Sequence, residues 1–418
     1  MEDISTPRRE PFGSNPNVGE AGRATQRRIL AAATEAFATH GYVRTSVEAI
    51  TDLAGCSRPT FYQYFSGKED LHRRLAARFG AGLASLLDHI TAITPDREGR
   101  DQLHEWLEGL GDIHDRYRPI ADNFAAAVRT DDQMATGSAT LSAAYRRRLV
   151  QVIVDPPSGP LAIEAQATAI NALAYGASVC RGQIGDVSAV RLTSALADLL
   201  HRSIFGAIAG VNVGAAVRGT TVGVVVDAAP PATLDADRQA RGLATRTRLI
   251  DAAATAFGTL GYEGVRVDDI SSEAGVSHGT FYRYFADKDA IFAEHADAAT
   301  GEITELLRRW PLAPGEETEW ANDYYKLFSR RGGVIACLPE AGAAGLPSAS
   351  RSRQEVSLAL QAALDTRDFG DTDADVVICF ALLESLAATA FRELGISIQD
   401  AIDATALILH RGVFGAPA

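Results

Sequence analysis

Apolar residues recur three or four positions apart along most of the chain, which is the spacing of amphipathic helices. In the stretch 25–40, Ile29, Ala33 and Phe37 lie four apart on one helical face. Gly41 follows as the predicted end of this helix, because glycine readily adopts the left-handed conformation that closes a helix. The same spacing returns 220 positions later. The pattern predicts an all-α fold.

Two shorter helices are predicted directly after this first helix. Thr45 and Glu48 are three apart and fit a capping box at the start of the first of them. Gly55 then predicts a tight turn, Ser57 predicts the N-cap of a second helix, and Pro59 suits the first turn of that helix. Two helices joined by a glycine turn at this spacing predict a helix-turn-helix unit.

The second of these short helices carries polar groups that burial alone does not require. Phe61 and Phe65 are four apart and are predicted to pack inward. The other faces present hydroxyl, amide and guanidinium groups, which suit phosphate oxygens and base edges in a DNA major groove. Lys68 follows in the first turn of the next helix, where unpaired N–H groups attract phosphate. We therefore expect this unit to bind duplex DNA.

The chain contains an internal repeat. Residues 24–71 align with 244–291 without gaps, and 21 of the 48 positions are identical. A shorter match, LLHRSIFGA at 199–207 and ILHRGVFGA at 408–416, lies near the end of each half. Because each half starts and ends alike, two copies of a whole domain pair explain the sequence better than two copies of one motif.

Both copies share one ordered motif: a Phe, a Gly, an Ile, an Ala-Gly pair, a Ser and the block T-F-Y-x-Y-F-x-x-K. The first copy has it as Phe37, Gly41, Ile50, Ala54, Gly55, Ser57, Thr60, Phe61, Tyr62, Tyr64, Phe65 and Lys68. The second has Phe257, Gly261, Ile270, Ala274, Gly275, Ser277, Thr280, Phe281, Tyr282, Tyr284, Phe285 and Lys288. The motif resembles the DNA-binding region of the TetR family of bacterial transcription regulators. The resemblance covers about a quarter of the chain directly.

This resemblance implies a role for each matching position. Bases would be contacted by Arg58, Pro59, Tyr62 and Gln63, and in the second copy by His278, Gly279, Tyr282 and Arg283. Phosphates would be contacted by Thr45, Thr60, Tyr64 and Lys68, and in the second copy by Thr280, Tyr284 and Lys288. Val265 departs from the pattern at the position of Thr45, which puts that contact and that helix start in doubt, and Arg266 beside it is the alternative phosphate ligand.

The two copies differ mainly at outward positions. The exchanged pairs are Arg58/His278, Pro59/Gly279 and Gln63/Arg283. Different base-reading residues should prefer different half-sites, so we expect an operator less palindromic than a homodimer needs. The alternative is drift, in which one copy no longer binds DNA. The second copy is then the weaker candidate, because of Val265 and its neutral local charge.

The family also implies a regulatory domain after each DNA-binding domain. The predicted divisions are a flexible tail at 1–22, helix-turn-helix domains at 23–70 and 241–290, helical regulatory domains at 71–210 and 291–418, and a linker at 211–240. The segments IEAQATAINALAYGASVC and VVICFALLESLAATAF are apolar on more than one face, as expected of helices in a subunit interface. In relatives such helices form a dimerising bundle. An intramolecular pseudo-dimer is the first choice here, and a homodimer of whole chains is the second.

A small-molecule effector is also expected from the family, and an apolar or aromatic ligand is the default. The candidate ligand contacts are Trp106, Tyr117, Phe124, Trp320, Tyr324 and Phe328. Aromatic residues at helical spacing are more often core than pocket. The implied function is a regulator, most simply a repressor, that a ligand releases from DNA; activation stays open.

Net charge is −13, which at first argues against a nucleic-acid partner. Local charge decides binding, however. Residues 23–78 hold nine basic and five acidic side chains, whereas residues 238–291 hold seven of each. The acidity therefore lies mostly outside the two copies, and a weakly charged or basic surface at each is expected.

Other classes of protein fit the sequence less well. No apolar run of eighteen residues and no secretory signal is apparent, and the four cysteines form no CxxC, so a cytoplasmic protein with reduced core thiols is expected. We find no catalytic, cofactor-binding or metal-binding motif and expect no enzyme. A helix-turn-helix module that binds another protein, without a ligand response, is the remaining alternative.

Overall fold

The computed structural model describes residues 19–156, 161–206, 236–367, 369–392 and 395–415. The predicted tail as far as residue 18, and most of the predicted linker (211–235), lie outside the described residues. The described residues fold as α-helices joined by short connections, with one isolated β-bridge between Ile93 and Ile153. The predicted all-α fold is therefore confirmed.

The chain divides into two compact units. The first holds the described residues up to Ser85 and the segment Asp112–Ser138, and the second holds Leu86–Gly111 and the described residues from Ala139 onward. The predicted first regulatory domain is thus shared between the two units. Its early helices pack with the first helix-turn-helix, and its later helices belong to the unit that contains the second half.

Seven helices precede residue 153 in the described part of the chain. They are α1 (Glu20–Arg44), α2 (Val47–Ala54), α3 (Arg58–Tyr64), α4 (Lys68–Leu86), α5 (Arg97–Arg116), α6 (Arg118–Thr130) and α7 (Asp132–Val152). Within the first unit α1 packs against α2 and α6. Gly41 interrupts α1 with a φ of 74°, so the glycine ends the regular helix where the sequence predicts.

The remaining helices belong to the second unit. They are α8 (Ile163–Cys180), α9 (Ala189–Phe205), α10 (Ala236–Gly264), α11 (Val267–Glu273), α12 (His278–Phe281), α13 (Lys288–Leu307), α14 (Glu317–Ile335), α15 (Leu338–Ala343), α16 (Pro347–Leu364), α17 (Thr372–Ala381), α18 (Ala387–Phe391) and α19 (Ile398–Leu407). A π-helical turn, Leu382–Leu386, joins α17 to α18, and a second one, Ile408–Val413, continues α19.

The last helices of the two halves pack together within one chain. α8 and α9 contact α17, α19 and both π-helical turns. The approach is close, because a Cβ atom added at Gly176 would lie 2.1 Å from Ser385 Oγ. The intramolecular pairing that the apolar segments predict is therefore present in the second unit.

The short repeat near the end of each half lies in this interface. Arg202 donates to the Gly412 carbonyl oxygen at 2.8 Å, and Arg411 donates to the Ile204 carbonyl oxygen at 3.5 Å. Arg202 and Arg411 are equivalent positions of the repeat. The two acceptors are one residue out of register, because Gly412 aligns with Ser203 and Ile204 aligns with Val413. The two copies of this short repeat therefore bind each other in a nearly reciprocal way.

One stretch of this interface is long and apolar enough to cross a membrane by length and composition. It runs over Thr372–Phe391 with a mean hydropathy of 1.8. Of that stretch, 72% is buried inside the protein, as in the core helix of a globular domain. The prediction of core thiols is confirmed for Cys180, Cys337 and Cys379, which are buried, whereas Cys56 is only partly buried.

Candidate DNA-binding interface

We call residues 20–65 head one and residues 242–285 head two. In head one the turn between α2 and α3 is closed by Gly55, which has a φ of 59°. Ser57 then caps α3 by accepting a hydrogen bond from Thr60 N at 3.3 Å. Phe61 and Phe65 are fully buried. The predicted inward face of α3 is therefore confirmed.

The opposite face of α3 is open to solvent. Tyr62 is 50% exposed, and Arg58, Pro59 and Gln63 are exposed beside it. Thr60 is half-buried, and its hydroxyl lies 2.9 Å from that of Ser57. The four residues expected to contact bases thus share one accessible surface.

Head two repeats this arrangement with different side chains. Ser277 caps α12 through Thr280 N at 3.2 Å, and Phe281 is fully buried. Tyr282 is 50% exposed, the same as its counterpart in head one. The other predicted base contacts, His278, Gly279 and Arg283, are exposed as well.

We call α3 and α12 the reading helices. The first residue of each lies within ion-pair distance of an acidic residue of the preceding helix. Arg58 Nη2 lies 2.7 Å from Glu48 Oε2 in head one. His278 Nε2 lies 3.3 Å from Asp268 Oδ1 in head two. Sequence reasoning did not assign these two acids a role. The signal was present, because both acids occupy the same aligned position.

The predicted role of Thr45 is wrong. Ser46, one residue later, caps α2 by accepting from Ala49 N at 3.1 Å. Thr45 is 2% exposed and donates its hydroxyl to the Gly41 carbonyl oxygen at 2.7 Å. The side chain anchors the end of α1 inside the protein, so a phosphate has no access to it.

Head two solves the same helix start in another way. Val265 fills the buried position of Thr45 and is 1% exposed. The backbone N–H of Arg266 donates to Asp269 Oδ2 at 2.8 Å, which caps α11 without a hydroxyl. The doubt raised by Val265 about this helix start is thus resolved, and the Arg266 side chain is exposed.

The second tyrosine of each reading helix lies deeper than predicted. Tyr64 is 8% exposed and belongs to the core of head one. Tyr284 is half-buried in head two. A residue four positions after Thr60 was expected on the outer stripe, but the end of α3 turns this ring inward. A phosphate contact by Tyr64 is therefore not supported.

Lys68 and Lys288 lie just after head one and head two, and each binds back onto its head; we call these two contacts the lysine clamps. Lys68 Nζ donates to the Tyr42 carbonyl oxygen at 2.9 Å and lies 4.5 Å from the centre of the Tyr42 ring. Lys288 Nζ donates to the Tyr262 carbonyl oxygen at 2.8 Å. Both ammonium groups bind the end of the first helix of their head. The structure therefore favours a positioning role over the predicted phosphate contact.

Burial raises the pKa of the tyrosine that each lysine contacts, Tyr42 in head one and Tyr262 in head two. Desolvation raises the pKa of Tyr42 to about 12, with a smaller contribution from Glu69. Desolvation also raises the pKa of Tyr262, and its hydroxyl donates to Asp289 Oδ1 at 2.7 Å. Both phenols therefore stay neutral donors at physiological pH, and neither adds negative charge near the reading face.

The predicted ligand contacts of the first half pack in two separate places. Trp106 is 4% exposed and lies 6.2 Å from the ring of Tyr145 in the second unit. Tyr117 and Phe124 each lie 5.9 Å from the ring of Phe79 in the first unit. Each contact is aromatic packing, and a ligand role for the three stays a prediction.

The predicted ligand contacts of the second half belong to one aromatic cluster. Trp320 stacks on Tyr324 at 5.8 Å, and Phe328 lies 6.2 Å from Tyr324. Trp320 donates its indole N–H to the Leu306 carbonyl oxygen, and Tyr324 donates its hydroxyl to the Leu383 carbonyl oxygen at 2.6 Å. These residues close the core of the second half, as aromatic residues at helical spacing usually do.

Comparison with known proteins agrees with the two heads. The bacterial regulatory protein family named for TetR matches twice, at residues 29–75 and 249–295. The transcriptional activator FasR of Mycolicibacterium smegmatis is 32% identical over 120 residues, which are 28% of this chain and 54% of that protein. The repressor AcnR of Corynebacterium diphtheriae is 30% identical over 84 residues, 20% of this chain and 44% of that protein.

A third relative is the uncharacterised regulator YdgC of Bacillus subtilis, 35% identical over 81 residues, 19% of this chain and 42% of that protein. The chain thus spans about half the length, or less, of these relatives. The solved structure of the fatty acid degradation regulator FadR from Bacillus halodurans aligns with 40% of this chain and 94% of that one, at 17% identity and a TM-score of 0.32. Two segments of this chain, each with a capped reading helix, thus match the TetR family of bacterial regulatory proteins, and the two matches stand in tandem.

Proposed function

We propose that the protein is a sequence-specific regulator in which each head places its reading helix, α3 or α12, in a DNA major groove. One observation carries this proposal. Both reading helices bury their phenylalanines completely and leave an equivalent tyrosine half exposed, at Tyr62 and Tyr282. A helix that serves only to hold a core together gains nothing from exposing a large aromatic ring beside polar groups.

The heads differ where base contacts would form, so the operator should have two unlike half-sites. Arginine contacts guanine through two parallel hydrogen bonds, whereas the histidine aligned with Arg58 cannot, and head two carries its arginine, Arg283, where head one has Gln63. Two heads on one face of the duplex would engage grooves one helical turn apart, about 34–36 Å. The operator is therefore proposed to be an imperfect palindrome.

The proposed response is release from DNA when a small molecule binds a regulatory half. Ligand and DNA must weaken each other's binding by the same factor. Repression is the simpler effect on transcription, because a protein bound over a promoter blocks it. The curated relatives include one named activator and one named repressor, so reporter transcription with and without the protein has to decide the sign.

A selected duplex tests the proposal directly. The purified chain selects binding sites from a randomised duplex library, and the best site is footprinted. We expect two protected, unlike half-sites and an affinity that falls with salt at a log–log slope of about −0.9 per phosphate contacted. No enrichment, or binding without salt dependence, contradicts the proposal and leaves the protein-interaction module as the function.

A second candidate is a regulator in which head one alone binds DNA. It is favoured by one observation: α12 has four residues, whereas α3 has seven. Its signature is a single protected half-site in the same footprint.

A further inference from the structure

The second regulatory half contains an arginine that is buried without a full set of partners. Arg353 lies on α16 and is 6% exposed. Its guanidinium carbon is 5.0 Å from the centre of the Phe380 ring, and Nη1 is 3.4 Å from Glu384 Oε1. Among the described residues, Arg353 Nη1, Arg353 Nη2 and Glu384 Oε1 have no hydrogen-bond partner. Burying such groups unpaired is costly.

A neighbouring ion pair shows what a satisfied arginine looks like in the same half. Arg367 and Asp375 are buried too, with side chains 4% and 2% exposed. Arg367 donates to Asp375 Oδ2 at 2.6 Å and to the Val413 carbonyl oxygen at 2.8 Å. This pair serves the packing of the fold. Arg353 has the same burial but not the same bonds, so packing alone does not account for it.

The surroundings of Arg353 combine one polar end with apolar walls. Glu384 lies in the π-helical turn 382–386, and such turns are frequent at functional sites. Cys180 of α8, from the first half, lies 3.8 Å from Glu384 Oε2. The Phe380 ring of α17 lies against the guanidinium, and Tyr324 of α14 donates its hydroxyl to the carbonyl oxygen of Leu383, next to Glu384. The arrangement suits a molecule with one anionic group and an apolar body.

We propose that Arg353 and Glu384 bind the carboxylate of a small organic acid, which is the effector of the regulator; this inference rests on the ligand response proposed above. A carboxylate matches the two parallel donors of a guanidinium and gives a hydrogen-bond partner to Nη1, which has only the ion-pair contact with Glu384, and to Nη2. Glu384 can share the site only as a neutral acid that donates to the ligand. Effector binding then takes up one proton when Glu384 is ionised beforehand.

Electrostatics around Glu384 agree with that protonation. Desolvation by burial raises the pKa of Glu384, and the nearby Arg353 opposes the shift. Because Glu384 also contacts Cys180, a ligand that draws Glu384 toward itself loosens a contact between the two halves. That contact gives the effector a physical route to the paired interface helices.

The test compares organic acids with their amides. The probes are 4-phenylbutyrate and octanoate, each against its primary amide, and the readout is the Tm of the purified chain at pH 6 and pH 8. We expect the acids to raise Tm, more at pH 6, and the amides to leave it unchanged. Arg353→Met should abolish the shift. Arg351→Met, two positions earlier with a side chain 58% exposed, should keep it.

A second variant keeps the proposal falsifiable if Arg353→Met folds poorly. Arg353→Met with Glu384→Met removes both unpaired groups together, and without probe it should melt no lower than the parent. A large loss of Tm would mark the pair as structural and overturn the inference. Equal shifts from acid and amide, or no shift from either acid, would overturn it as well. Binding of the parent chain to the selected duplex is measured in parallel without any probe, and absence of that binding overturns the proposed function instead.

Discussion

Head one and head two have the same helix-turn-helix scaffold, but their reading helices carry different exposed side chains. Their serine caps place two hydroxyls at the same 2.9 Å separation, Ser57 to Thr60 and Ser277 to Thr280. Their lysine clamps reach the first helix at 2.9 Å and 2.8 Å. The reading helices nevertheless differ in length, since α3 spans seven residues and α12 spans four. The cap and lysine contacts are therefore the same in both heads, although the exposed residues of the reading helices differ.

We expect the difference in helix length to have a local cause. Pro59 holds its φ angle near the helical value, which pre-orders the first turn of α3. Gly279 stands at that position in α12, and glycine costs a helix roughly 1 kcal/mol relative to alanine. Beyond Phe281, the backbone of head two forms hydrogen bonds between residues three apart, as in a 3₁₀-helix. Arg283 N donates to the Thr280 carbonyl oxygen, and Tyr284 N donates to the Phe281 carbonyl oxygen. The second reader is therefore less regular.

The largest expected effect comes from removing exposed side chains from one reading helix at a time. Arg58→Ala with Tyr62→Ala, or His278→Ala with Tyr282→Ala, should each weaken binding to the selected duplex by roughly 30-fold or more, because a lost base contact costs about 1–3 kcal/mol. Fluorescence anisotropy measures the affinity, and footprinting should lose one half-site with each variant.

The same pair of variants separates the two candidate functions. A double substitution in head two that leaves affinity and footprint unchanged means that this head does not bind DNA. Circular dichroism is the control for folding, since all four side chains are exposed and their removal leaves the core intact. Unchanged affinity for both variants removes these residues from the base-reading role.

The lysine clamps should give the next largest effect. Lys68→Met and Lys288→Met each remove a charged donor from a partly buried carbonyl oxygen, a loss of about 1–2 kcal/mol. The loss should appear as faster hydrogen exchange of backbone amides in the mutated head alone. A lysine that mainly contacts phosphate would instead lower the salt slope of DNA binding by about one and leave exchange unchanged.

The sequence is sufficient for those parts of a head that depend on spacing. Phe61 and Phe65 are four apart and are buried as predicted, and Gly55 takes the positive φ that its turn requires. The cap of α2 was assigned one residue too early, because Thr45 and Ser46 both carry hydroxyls and only the backbone path distinguishes them. Tyr64 is the last residue of α3 and is buried there, which the helical spacing from Thr60 does not predict.

The regulatory half was harder to predict, because its key distinctions depend on contacts between distant segments. Trp320 and Tyr324 have the spacing of both a core and a pocket lining, and the structure packs them as core. Arg353 and Arg367 look alike in sequence. Their hydrogen bonds distinguish them: Arg367 donates to Asp375, whereas Nη1 and Nη2 of Arg353 have no hydrogen-bond partner among the described residues.

The pH response should sharpen the comparison between the heads. An arginine stays charged at every physiological pH, whereas histidine gains its charge between pH 8 and pH 5. The groups facing His278 are Asp268 and the Tyr282 ring. Binding to the half-site of head two should therefore strengthen by roughly fivefold from pH 8 to pH 6, about 1 kcal/mol for one exposed charged contact.

Reciprocal substitutions control that experiment. Anisotropy on duplexes that carry a single half-site follows each head separately. His278→Arg should make head two insensitive to pH, and Arg58→His should give head one the same sensitivity. A pH response that persists in His278→Arg comes from another group and contradicts this assignment.

The smallest effect tests why the two reading helices differ in length. Gly279→Pro should stabilise α12 by about 0.4–1 kcal/mol, because proline restricts the unfolded chain. A Cβ atom at Gly279 meets nothing within 4 Å, so the first side-chain atom of the proline has room. Amide exchange in residues 280–284 should slow in Gly279→Pro, and it should quicken in residues 60–64 of Pro59→Gly. If only Pro59→Gly responds, the short α12 is imposed by packing beyond Phe281. The irregular second reader would then be a property of the fold of head two and not of one exchanged residue.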